Sequence, residues 1–198
     1  MRVVVLRHRD DDGFTLVELL ISVTILGILI GAISNAVAVA LRITSSADVR
    51  LTESNDALFA AGYFGGDVQG AQSVSVGTTP KCGTDGSAVV EFVGQDFADD
   101  STFATTTRVV SYVRRTVANP DGTTTRQLHR LVCTAATATP SYPLTPSTDT
   151  TVVHRLSAAA PVVDCGGVAC SAFVQVNLTL QEQSGDLAYT LTGRRRTS

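Results

Sequence analysis

Between Leu19 and Leu41 the chain runs for 23 residues without a formal charge or a proline. As a helix rising roughly 1.5 Å per residue, such a run extends about 34 Å, enough for a hydrocarbon core of about 30 Å. That length predicts a membrane-crossing helix rather than the core helix of a soluble domain. One carboxylate, Glu18, stands at its leading edge. Insertion scales put an acidic residue at a helix centre at roughly 2.5–3.5 kcal/mol, so even near the membrane surface the charge demands a role. Arg2, Arg7 and Arg9 precede the run, and the positive-inside rule then predicts a cytoplasmic N-terminus with the bulk of the chain outside.

Two plainer uses of the run compete. Ala36-Val37-Ala38 and Ala38-Val39-Ala40 have the small-residue pattern of a signal-peptide cleavage site, but an h-region commonly spans only about 7–15 residues. An uncleaved anchor accounts for the length. Neither use requires Glu18.

The residues leading into the run, Gly13-Phe14-Thr15-Leu16-Val17-Glu18, resemble the class III signal of type IV pilins and type II secretion pseudopilins. A glycine is followed by phenylalanine, and glutamate takes the fifth mature position. The resemblance implies that a prepilin peptidase cuts between Gly13 and Phe14 and that the new Phe14 amine is N-methylated. It further implies that Glu18 pairs with the amine of a neighbouring subunit and fixes axial register in a fibre. Opposite charges lessen each other's penalty in a low-dielectric setting, which gives such pairing a physical basis. Implied partners are the peptidase, other pilin or pseudopilin subunits, an inner-membrane assembly platform and the lipid bilayer. The implied location is the cytoplasmic membrane, then a fibre or the cell surface. Gly27 and Gly31 have the Gly-x-x-x-Gly spacing that lets helices approach closely. Many major pilins carry a proline near the middle of this segment; this chain does not, which is compatible with the pseudopilin and minor-pilin branches.

The four cysteines, Cys82, Cys133, Cys165 and Cys170, all follow the apolar run, as an oxidising compartment permits. Four thiols allow three connectivities. Pairing Cys165 with Cys170 across Gly166-Gly167, and Cys82 with Cys133, is the preferred one. The net charge of −3 argues against nucleic-acid binding through bulk charge.

Beyond the membrane the helix is expected to continue to about residue 72. Ala47, Leu51, Ser54, Leu58, Ala61 and Val68 follow helical spacing, with Asp48, Arg50, Glu53 and Asp56 on a wetter flank. Asp67 opposes the helix dipole near the C-terminal end, and nothing in the sequence explains it. Strands are predicted at 88–93, 108–115, 125–133, 174–181 and 187–191. The second and third flank the turn Asn119-Pro120-Asp121-Gly122. Residues 134–151, rich in threonine, serine and proline, read as an exposed loop. The expected fold class is therefore α+β, a long helix on an antiparallel sheet. Its divisions are a leader (1–13), a membrane or fibre-core helix (14–41), an amphipathic continuation (42–72) and an extracytoplasmic sheet domain (73–198).

No nucleophile elbow, phosphate loop or dinucleotide fingerprint occurs. His8, His129 and His154 are isolated in sequence, and Asp10-Asp11-Asp12 lacks the alternating ligands of a calcium loop. No cofactor, metal or enzymatic activity is expected. Arg194, Arg195 and Arg196 read as a solvated basic tail. The expected function is structural, that of a minor pilin or pseudopilin, and its length and loops resemble the J type. The alternatives are a competence minor pilin that captures DNA, which needs an arginine-rich groove, and a membrane-anchored enzyme, which needs a pocket of convergent polar groups.

Overall fold

The computed structural model describes residues 15–77, 79–97, 105–167, 169–183, 185 and 188–196. Two compact units are present, Met1–Val49 and Arg50–Ser198. One helix, α1 (Leu16–Gln69), runs from the first into the second. It stops where Gly70 and Ala71 bond back to the carbonyls of Gly66 and Val68.

In the Arg50–Ser198 unit, five strands form an antiparallel meander: β1 (Ser73–Val76), β2 (Ser87–Phe97), β3 (Thr105–Ala118), β4 (Thr124–Ala135) and β5 (Thr148–Leu156). A second antiparallel sheet contains β6 (Val162–Asp164), β7 (Gln175–Gln181) and β8 (Ala188–Arg194). The architecture is the expected α+β. At the β3–β4 turn, Gly122 has a φ of 81°, and the Asp121 carboxylate accepts from the Thr123 N–H at 2.9 Å.

Phe64 and Val68 of α1 are fully buried in the main core, Phe64 against the five-stranded sheet and Val68 beside Gly193 of β8. The Phe64 ring meets Phe92 at 5.6 Å and Tyr112 at 5.7 Å, both edge to face, the arrangement that the ring quadrupoles favour. Val109, Val113 and Leu131 form a separate core on the opposite face, with Cys82 and Cys133. Because both faces are covered, Val109 to Val113 are buried without alternation. In β7 the alternation is clean: Val176, Leu178 and Leu180 are inside. Val174, predicted as the first residue of that strand, lies ahead of it and is exposed.

The face of α1 expected to bury is the one that does not. Of the six residues assigned to it, only Val68 is inside; Leu51 and Leu58 are 62% and 73% exposed. The buried stripe is instead Glu53, Asp56, Ala60, Phe64, Asp67 and Val68. It keeps the three-to-four spacing, but three of its members are acids: Glu53 and Asp56, which charge assigned to the wetter flank, and Asp67, which the sequence left unexplained. Partners within the fold hold two of those acids, as described below. The expected loop at 134–151 is likewise shorter, since β4 runs to Ala135 and β5 begins at Thr148. Ladder bonds to the neighbouring strands override the threonine-rich composition there. The short strands β1 and β6 and the whole of β5 were not expected.

Candidate functional site

The described part of the N-terminal helix begins at Thr15, whose Oγ1 accepts from the Glu18 N–H at 3.3 Å. Thr15 thus caps the helix three residues before an acid, the spacing of a capping box. The Glu18 carboxylate then lies in the first turn, where the positive end of the helix dipole favours it. Gly13, Phe14 and the leader lie outside the described residues.

From Leu16 to Ser45 every residue is exposed, including Leu16 at 82% and Ile28 at 73%. An apolar surface of that extent is not stable in water and marks a membrane or protein contact. It is the one helix among the described residues long and apolar enough to cross a membrane. Three of its hydroxyls bond back to the helix: Thr24 donates to the Ile21 carbonyl at 2.7 Å, Thr44 to Ala40 at 2.9 Å, and Ser45 to Arg42 at 2.9 Å. Such back-bonding suits a segment removed from water. A Cβ added at Gly27 or Gly31 would meet nothing within 4 Å, so both backbones are open to a partner.

The cysteines pair as Cys82–Cys133 and Cys165–Cys170, separated by 51 and 5 residues, the connectivity preferred from the sequence. His129 and His154 each face an acid. His154 meets Asp56 through both its N–H and its ring Nδ1, at 2.7 and 2.8 Å. His129 Nδ1 lies 2.8 Å from Asp149, which also accepts from Arg115 at 2.6 Å. Burial pushes the Asp149 carboxyl up, but Arg115 and His129 outweigh it and hold the group below the ordinary range. Among the described residues no set of three or more His, Cys, Asp or Glu is placed to hold a metal ion. Arg195 packs over the Phe173 ring at 5.5 Å and its N–H donates to Val174. Arg194 bonds to Gln175 at 2.9 Å, so the start of the basic tail is held rather than free.

Sequence reasoning missed the buried acids. Asp67 accepts from Arg130 Nε and Nη2, both at 2.6 Å, and from the Tyr112 hydroxyl at 2.8 Å, with Arg108 at 3.4 Å. This paired fork explains an acid at the wrong end of a helix dipole. Burial, then the Asp67 charge, pushes the Tyr112 phenol well above its usual range, so it remains a donor. Glu91 is likewise buried, accepting from Ser111 and the Lys81 N–H at 2.6 Å each. The spacing of Ala60, Phe64 and Val68 was the available signal, since Glu53, Asp56 and Asp67 share their helical face.

Residues 8–34 match the family model described as the prokaryotic N-terminal methylation motif. This match supports the type IV pilin and pseudopilin family for the segment that carries it. The motif implies processing by prepilin peptidase and assembly with other pilin subunits, and the exposed apolar helix fits a membrane-anchored pilin. No curated protein and no solved structure is matched by this pilin-like chain.

Proposed function

We propose that the protein is a minor pilin or pseudopilin, cut after Gly13, N-methylated on Phe14 and assembled into a fibre through residues 14–41. The supporting observation is the exposed apolar stretch of α1, residues 16–45, whose first part lies within the methylation motif of residues 8–34. Such a surface needs lipid first and other helices afterwards. Glu18 sets axial register by pairing with the Phe14 amine of a neighbour, while Gly27 and Gly31 admit a close helix contact. The N-terminus stays on the cytoplasmic side, where the assembly platform engages it, and the extracytoplasmic sheet domain, 73–198, presents its loops at the fibre surface or tip.

A DNA-capturing version has no observation in its favour. Arg108 and Arg130 are bound to Asp67, Arg114 to the Ser157 and Ala158 carbonyls, and Arg115 to Asp85 and Asp149. Mass spectrometry of purified fibres tests the proposal. N-methyl-phenylalanine at Phe14 is the expected N-terminus, and one near Val39 or Leu41 would refute it. Glu18→Ala should leave insertion and cleavage intact but impair incorporation into fibres.

A further inference from the structure

A second acidic group lies where α1, β5, β7 and β8 meet in the Arg50–Ser198 unit. Glu182 follows β7 and is fully buried. It forms the bridge to Leu156 that joins the two sheets. Around it, the Ser157 N–H donates to Gln181 at 2.8 Å and the Gln183 N–H to Arg155 at 3.0 Å. The Tyr189 hydroxyl donates to Glu182 Oε1 at 3.1 Å. Among the described residues Glu182 Oε2 has no hydrogen-bond partner, and neither does Oε1 of Glu53, itself 4% exposed.

Ionised carboxylates only accept hydrogen bonds. Two such orphaned oxygens cannot satisfy one another, and burial without partners costs each of them stability. One proton changes this, because it turns a carboxyl into a donor. The charges acting on Glu182 are Asp56 and Glu53 from α1, with Tyr189 from β8. The imidazole that faces this group is His154 of β5, which is engaged with Asp56 and is half exposed.

We propose that Glu182 and Glu53 form a proton-operated clasp, in which a proton on Glu182 holds the three-stranded sheet to the rest of the unit and its loss loosens that sheet. Burial first, then the neighbouring charges of Asp56 and Glu53, outweighs the Tyr189 hydrogen bond and pushes Glu182 up to about 7 from 4.5. The folded value lies above the unfolded one. Stabilisation is therefore complete below the unfolded value and is lost as pH rises through the folded value.

The test is urea unfolding of the full chain in detergent micelles, followed by circular dichroism from about pH 5 to about pH 9. The folding equilibrium constant should fall by about 80-fold between about pH 5 and about pH 9, at a limiting slope of about tenfold per pH unit between the two values, and level off above the folded one. Glu182→Gln should abolish the fall. Glu53→Gln should move it to lower pH, and Tyr189→Phe, which removes a donor to the ionised form, to higher pH. These opposite shifts test the clasp even if Glu182→Gln does not fold. A flat wild-type profile, or an unchanged slope in Glu182→Gln, would overturn the proposal. So would full recovery of the alkaline loss on adding calcium chloride, which would make the group a cation site. Hydrogen exchange, corrected for its intrinsic pH dependence, should show the alkaline loss of protection concentrated in β6–β8. A uniform loss would contradict a clasp.

Discussion

The side chain of Asp67 is only 3% exposed and that of Arg130 8%, so neither charge can fall back on water if the other is removed. Asp67→Ala should therefore destabilise the sheet-bearing unit by about 3–5 kcal/mol, the usual cost of stranding a buried ion, as read from urea midpoints. Tyr112→Phe removes one donor and leaves the ion pair, and about 1 kcal/mol is expected. Asp149 titrates in the opposite sense to Glu182. Its folded value is depressed, so its stabilisation is present above the ordinary carboxylate range and is lost as pH falls through the folded value. Because this carboxylate is 42% exposed, the acid loss should be small and should vanish in Asp149→Asn. Chemical denaturation at descending pH separates the two groups.

At the scale of elements, α1 shows how far pattern reading reaches. The helix, the β3–β4 hairpin and the alternation of β7 were legible because each rests on local rules: periodicity, a glycine turn and one buried face. The orientation of the second half of α1 was not. Leu51, Leu58 and Phe59 are larger and more apolar than what lies opposite, yet they face outward, because the sheet supplies Arg130, Tyr112 and His154 to the acids on the inner side. Those partners lie as far as 98 residues away in sequence, beyond any windowed pattern. For the assembly segment the position was reversed, since Gly13, Phe14, Glu18 and the apolar run are contiguous and carry a local signal. The inverted face is testable. Leu58→Arg should change stability by no more than about 0.5 kcal/mol, whereas Phe64→Ala should cost about 3–5 kcal/mol. Gly193 offers a sharper probe, because a Cβ there would lie 2.5 Å from the Val68 side chain. Gly193→Ala should cost about 1–3 kcal/mol by overpacking, and adding Val68→Ala should recover part of that loss in a double-mutant cycle.

Taken whole, the molecule joins an apolar helix without cover of its own to a unit held by two cores, buried ion pairs and two disulfides. The Cys82–Cys133 bond sits in the core on the sheet face opposite Phe64 and closes a 51-residue separation. Replacing both cysteines with serine should cost about 2–5 kcal/mol, measured by thermal unfolding with and without reductant, and reductant should not move the melting point of that variant through this bond. The Asp67–Arg130 pair has a different kind of consequence. Its two halves lie 63 residues apart, so a chain emerging N-terminus first exposes the acid long before its counter-charge is synthesised. Until β4 emerges, Asp67 lacks the Arg130 fork and has only the Tyr112 hydroxyl and the longer Arg108 contact, both from β3. The Asp67 site is thus complete only once β4 has joined the sheet, which ties burial of this helix face to the strand that carries the arginine.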